Sequence, residues 1–213
     1  MKKSDKKTGP GKGRGKGKAV GDRLRQISQV AASLFFEKGY MQTTTREIAE
    51  TADISVGTLY YYIKSKDDLP ITFSQIHIND INRWEKEIRK AMQVKGPEEV
   101  LGDAVREMVH MIDLRRKMVL FWYQTSKYLT REQMKDMINV ENRVVSIFKD
   151  IIEWGSRTGN FKVDDPFLTA MNIHMVCSMW ALKRWWLKDD YTYKQFADQC
   201  AKMAISLVRG STV

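Results

Sequence analysis

Apolar residues recur along most of the chain with the 3.6-residue period of a helix, and no stretch keeps the two-residue alternation of a strand. Leu24, Ile27, Ala31, Leu34 and Phe35 form one stripe and predict a first helix beginning near Asp22. Lys38 and Gly39 close it with a cation for the last turn and a glycine suited to the left-handed cap. Thr44 and Glu47 stand in capping-box spacing and open a short second helix, with Ile48, Ala49 and Ala52 facing inward. Asp53 lies where the chain must turn; Asp tolerates the left-handed region, though less readily than Gly. Ser55 can cap a third helix running through Leu59 to about Ile63. Ser65, three residues before Asp68, starts a fourth, from about Lys66 to Met92. Pro70 falls in its first turns, where the missing N–H predicts a bend.

Five more helical spans follow at roughly 98–113, 115–128, 131–155, 166–187 and 193–208. Asp165 before Pro166 is an N-cap followed by proline at the first helical position, and Gly155 and Gly159 bracket the break before it. The expected fold is all-α, with an N-terminal helix-turn-helix head over 21–68 (motif about 44–63) and a larger helical domain over 69–213.

Composition refines that picture. At 43% hydrophobic residues, the 213-residue chain can bury a sizeable core, which excludes global disorder. Six of thirteen glycines lie in residues 9–21, alternating with Lys and Arg, and only seven Gly and three Pro remain after them. Eight Lys/Arg against Asp5 give residues 1–20 a charge of +7 of the total +10, whereas residues 21–68 sum to −1. Such a tail has nothing to bury and repels itself, so disorder is expected over 1–20. It would either add sequence-independent affinity for a polyanion or serve only solubility. Cys177 and Cys200 cannot build a disulfide framework, no run approaches 18 apolar residues, and no apolar segment follows the basic N-terminus as in a secretory signal. The chain reads as cytoplasmic, with no membrane contact.

Two short helices about a tight turn, the second carrying small, hydroxyl and aromatic side chains, suit DNA. Thr44, Thr45, Arg46, Ser55, Thr58, Tyr60, Tyr61, Tyr62, Lys64 and Lys66 can donate to phosphates, Val56 and Thr58 can touch thymine methyls, and Gly57 permits close approach to the duplex. Residues 31–69, AASLFFEKGYMQTTTREIAETADISVGTLYYYIKSKDDL, closely resemble the DNA-binding domain of the TetR family of bacterial transcriptional regulators. The match includes LFFEKGY, Thr43 with Thr44, Ile48 with Ala49, Gly57 Thr58 Leu59 Tyr60, and Ser65 with Lys66. The resemblance implies DNA contacts from Thr44, Thr45 and Arg46, a recognition helix bearing Ser55, Val56, Gly57, Thr58, Tyr60 and Tyr61, and a phosphate grip by Lys66. Asp53, Ile63 and Pro70 depart from the family pattern, the last at the hinge into the larger domain.

The same resemblance implies that the C-terminal helices bind a small effector and form a homodimer. Two recognition helices about one DNA turn apart would then read a palindromic double-stranded operator. All six Trp and ten of twelve Met lie after residue 80, which suits an adaptable apolar pocket or an ordinary core. Candidate lining residues are Met108, Met111, Ile112, Phe121, Trp122, Ile147, Trp154, Met175 and Trp180. Tyr193, Phe196, Cys200, Met203 and Leu207 step by 3, 4, 3 and 4, a seam that fits either a dimer face or packing within the chain. The C-terminal stretch WALKRWWLKDDYTYKQFADQCAKMAISLVRG is similar to that of acyl-CoA-responsive members, with Arg115, Arg116, Lys183 and Arg184 as cations for phosphates. An apolar compound of the efflux-regulator type is the competing effector.

His174 and Cys177 are four apart on one helix, but two donors without carboxylates read as core, not metal. No nucleophile-base set, phosphate loop or catalytic carboxylate pair stands out, so neither an enzyme nor a cofactor is expected. The sequence thus points to a ligand-released repressor. The alternatives are an architectural DNA binder driven by the tail and a helical lipid- or acyl-binding protein without DNA function.

Overall fold

The computed structural model describes residues 13–126 and 129–210. Among them run ten α-helices and no strand: α1 (Gly13–Lys38), α2 (Thr45–Thr51), α3 (Val56–Tyr62), α4 (Asp68–Ala91), α5 (Pro97–Leu114), α6 (Arg116–Thr125), α7 (Arg131–Arg157), α8 (Pro166–Leu182), α9 (Arg184–Leu187) and α10 (Tyr193–Arg209). The expectation of a disordered tail falls on residues 1–12 outside the described residues. From Gly13 onward the chain is helical, so the first helix begins well upstream of Asp22. Once the amphipathic stripe has nucleated α1, each added residue gains a backbone bond at little further cost. The glycine–lysine alternation disfavours a helix only where the segment stands alone.

Other boundaries shift for local reasons. Helix α4 starts at Asp68, and the Asp68 carboxylate accepts from the N–H groups of Lys64 and Ser65 at 2.8 and 2.9 Å, tying down the preceding turn. Pro70 is then the third helical residue, where the N–H would have had no intrahelical partner, so no bond is lost. The expected 166–187 helix is two pieces, broken at Lys183 (φ −119°, ψ 19°) before the single turn of α9. Asp165 caps α8 as expected, accepting from the Leu168 N–H at 2.9 Å.

Two cores result. The larger joins α4, α5, α7, α8 and α10 around Trp84, Leu101, Phe148, Ile151 and Trp180. The smaller gathers Ile27, Leu34, Phe35, Ile48, Leu59, Leu69 and Phe73 from α1 to α4, together with Met118 and Phe121 of α6. The seam on α10 divides: Phe196 and Cys200 are buried in the larger core, while Met203 and Leu207 are 57% and 50% exposed. On α8, Phe167, Leu168, Met171, Met175 and Met179 are also exposed.

Gly155 does not mark a break, because α7 continues through it to Arg157. Its role is steric: a Cβ there would lie 2.1 Å from Cδ2 of the buried Phe161 ring. Gly155→Ala should therefore cost about 1–3 kcal/mol through overpacking. Thermal unfolding should show Tm lowered by about 2–4 °C per kcal/mol in a chain of this size.

Candidate nucleic-acid interface and effector cavity

Helices α2 and α3 are seven residues each and too short to hold themselves, so caps and packing define them. The Thr44 hydroxyl accepts from the Glu47 N–H at 3.2 Å while the Glu47 carboxylate accepts from the Thr44 N–H at 2.9 Å, the reciprocal box expected. Lys38 of α1 donates to the same carboxylate at 2.7 Å; that bond, with those from Thr44, holds the Glu47 carboxyl down at about 2. Asp53 turns the chain with φ +54°, the one positive non-glycine φ among the described residues. Ser55 caps α3 by accepting from the Thr58 N–H at 3.0 Å.

These constraints bury Leu59 completely and turn Tyr60 and Tyr61 outward, 50% and 78% exposed. The Thr45 hydroxyl lies 3.3 Å from that of Tyr60, so the start of α2 and the outer side of α3 form one surface. Arg46, Thr58 and Gly57 are exposed on it, and Val56 is half-buried. A Cβ on Gly57 would meet nothing nearer than Ser55 Oγ at 3.8 Å. Nothing inside the chain requires glycine there, although it costs a helix about 0.5–1 kcal/mol relative to alanine. Lys66 is drawn inward: its ammonium donates to the carbonyls of Tyr40 (2.9 Å) and Thr43 (3.1 Å) and lies 4.6 Å from the Tyr40 ring centroid. Two of its three donors thus fasten the α1–α2 loop, leaving one for an outside partner.

Three hollows border α6. A cleft of about 520 Å³ lies between α1 and the α5–α6 junction, lined by Arg25, Arg115, Arg116, Lys117 and Arg184 with Asp113 the lining carboxylate. A hollow of about 40 Å³ shares Arg115 and Met118 with that cleft and adds Ser74 and His77 of α4. A third, about 360 Å³ and mainly apolar, shares Trp122, Tyr123, Met137 and Glu141 with the small one and continues to Val145, Phe167, Met171 and Met175. Apolar space therefore abuts a cationic mouth. Behind the mouth, Asp80 of α4 is 6% exposed and accepts from Arg25 at 2.8 Å and Arg115 at 2.5 Å. Burial pushes its carboxyl up, but the Arg25 hydrogen bond and the charges of Arg115, Arg25 and Arg83 outweigh burial and lower it.

Of the ten residues expected to line an effector site, Trp122, Met175 and Arg184 border these hollows. Met108, Met111, Ile112, Ile147 and Trp180 are instead buried in the larger core, and Trp154 packs against it. Phe121 lies in the smaller core, its ring centroid 5.2 Å from that of Phe35 and 5.4 Å from that of Phe73. Met and aromatic residues mark apolar surroundings without distinguishing filled from empty space. His77, Tyr123, Met137 and Phe167 were not anticipated; nothing in their local sequence signals a cavity. Among the described residues, no cluster of three or more His, Cys, Asp or Glu could hold a metal, and no helix is long and apolar enough to cross a membrane.

Burial, with the Arg115 charge, depresses the His77 imidazole to about 4, so it is neutral at pH 7. The unfolded chain binds this proton first as pH falls through about 6.5, so stability drops between about 6.5 and 4. Urea unfolding at pH 7 and pH 5 should show a loss of about 2 kcal/mol from this group. His77→Gln should reduce the difference between the two pH values by that amount.

Residues 27–70 match the family model described as bacterial regulatory proteins, tetR family, and residues 94–208 match that of the tetracyclin repressor-like C-terminal domain. The HTH-type transcriptional regulator HbdR of Aromatoleum sp. (strain CIB) is 29% identical over 185 residues, 85% of this chain and 79% of that protein. The transcriptional regulator FadR from Bacillus subtilis in complex with stearoyl-CoA superposes with a TM-score of 0.66 at 19% identity, covering 86% of this chain and 98% of that one. AibR in complex with isovaleryl coenzyme A and operator DNA gives 0.67 at 22% identity, covering 85% and 97%. With its head and its helical domain both matched, the chain belongs to the tetR family of bacterial regulatory proteins and is a ligand-responsive, DNA-binding transcriptional regulator.

Proposed function

We propose that this regulator is a dimeric cytoplasmic repressor, without catalytic activity, that an acyl-CoA-type effector releases from a palindromic operator. The observation that carries the effector class is the junction at Arg115: an apolar hollow of about 360 Å³ for an acyl chain meets a cationic cleft of about 520 Å³ for phosphates through residues they share with the small hollow between them. Guanidinium groups suit phosphate because they present parallel donors. FadR and AibR, of the same fold, are bound to stearoyl-CoA and isovaleryl coenzyme A. Selecting DNA from a random pool at moderate salt should recover a palindrome. Adding acyl-CoA thioesters should then release that DNA with a dependence on chain length, whereas coenzyme A alone should act more weakly. Release equally by the free acid and the thioester would point to a purely apolar effector.

In this reading Thr44, Thr45, Arg46, Ser55, Val56, Gly57, Thr58, Tyr60 and Tyr61 meet the duplex, and Lys66 lends its remaining donor to a phosphate. Support comes from their exposure on one surface and from a helical glycine with no internal reason. Gly57→Ala should separate stability from function. Thermal unfolding should rise, reflecting about 0.5–1 kcal/mol, while operator affinity measured by fluorescence anisotropy should fall at least about tenfold, since lost close approach removes contacts worth about 1.4 kcal/mol or more.

The dimer would form on α8 and α10. Helix α8 is apolar on all sides, and such a helix is normally covered all round; here one side stays exposed at Leu168, Met171 and Met179, beside Met203 and Leu207 of α10. Met179→Glu combined with Met203→Glu should convert dimer to monomer in sedimentation equilibrium. Operator binding should be lost with it, because one head alone lacks the second half-site.

A further inference from the structure

The Arg25 and Arg115 guanidinium groups that hold Asp80 also line the cationic cleft. Their donors are not all used. Arg115 Nη1 and Arg184 Nε are buried with no hydrogen-bond partner among the described residues. A buried, unpartnered guanidinium N–H forfeits its solvation, so two such groups bordering one cleft call for an oxyanion. The lining carboxylate cannot serve both, since Asp113 already accepts from Trp180 Nε1 at 2.7 Å. Of the five lining cations Lys117 pairs with Glu37 at 3.0 Å, and among the described residues the carboxylate on the Arg25–Arg115 pair is Asp80 behind them.

We propose that Asp80 is a resident anion holding the place of the effector's phosphate, and that exchange of Arg115 and Arg25 from Asp80 to that phosphate is the step that unties the reading head. It rests on the phosphate-bearing effector proposed above. Without effector, Asp80 bridges three elements: Arg25 on α1, its own helix α4, and Arg115 at the α5–α6 junction. A phosphate offers more acceptor oxygens and more charge than one carboxylate. After the exchange Asp80 keeps only Arg83, at 3.8 Å and 74% exposed. A carboxylate left buried with so little compensation is costly, so α4 must move to bring Asp80 toward Arg83 and water. Loss of the α1 tie and displacement of α4 then follow from one substitution of anions. Linkage requires the reverse as well: operator binding weakens phosphate binding by the same factor.

The test titrates inorganic pyrophosphate into the full chain at fixed ionic strength and reads affinity by calorimetry. Asp80→Asn removes the competing charge while keeping its shape, so pyrophosphate should bind at least about tenfold more tightly than to the wild type, and Arg115→Gln at least about tenfold more weakly. Unchanged or weaker binding by folded Asp80→Asn overturns the proposal. Should that variant fail to fold, the wild type decides: pyrophosphate should speed hydrogen exchange of α1 amides around Arg25 several-fold, and unchanged or slowed exchange there refutes it. Failure of the effector reading is distinguishable. If pyrophosphate behaves as expected but no acyl-CoA releases the operator, the acyl part is wrong and the anion exchange stands. If acyl-CoA releases DNA from wild type and Asp80→Asn with equal potency, the effector class stands and the exchange falls.

Discussion

The reading head is not a self-sufficient unit. Three helices of which two have seven residues bury too little surface to be stable on their own, and this head completes its core with two side chains from another domain. Phe121 of α6 inserts among Phe35, Tyr40 and Phe73, with centroids 5.2, 6.1 and 5.4 Å away, and Met118 lies one turn before it. Removing α6 from that joint would open a cavity lined by aromatic rings, a cost of the order seen for large core truncations, about 3–5 kcal/mol. The head therefore follows α6. Any ligand that shifts α6 relative to the larger core moves the recognition helix with it or breaks the joint.

Helix α6 also borders the apolar hollow. Its Trp122 follows Phe121 directly, and Trp122 and Tyr123 line the apolar hollow. Residues on one helix at successive 100° steps thus face the head's core and the hollow in turn. The junction residue just before α6, Arg115, is held by Asp80 on the helix that leaves the head. A packed joint and an ionic tie consequently meet at the first half of one short helix. Interfaces of this kind have discrete arrangements, because close-packed side chains do not deform continuously. Such packing passes a displacement of α6 to the head instead of absorbing it.

Legibility in the sequence follows the range of the interactions. Caps and turns are local, and so Thr44 with Glu47, Asp53, Ser55, and Asp165 before Pro166 were all readable from spacing. The outer face of α3 is readable for the same reason: a seven-residue helix with Leu59 inward must put Tyr60 and Tyr61 outward. The hollows depend on which apolar side chains fail to meet, and that is decided by helices distant along the chain. Met108 and Trp180 look in sequence like Met175 and Trp122; only packing separates the filled from the open positions. The Asp80 cluster joins residues 25, 80 and 115, and no local pattern relates them. The helix start at Gly13 is not legible in composition, which registers the glycine–lysine alternation but not the helix that it extends.

Symmetry supplies the last constraint. Within one chain α10 uses Phe196, Cys200, Ala204 and Val208 against the larger core, which leaves Met203 and Leu207 on the flank facing away from it. Helix α8 does likewise, burying Ile173, Cys177 and Trp180 while Met171 and Met179 face outward. Two neighbouring helices with matched apolar flanks make a patch that can pair with its own copy about a two-fold axis, closing a four-helix arrangement. The hollow lined by Met171 and Met175 opens beside that patch. In the proposed reading, effector binding and subunit pairing would therefore draw on the same helix. Both heads hang from such subunits. In the proposed dimer, the spacing between the two heads, which decides whether a palindrome can be gripped, would be set by that α8–α10 contact.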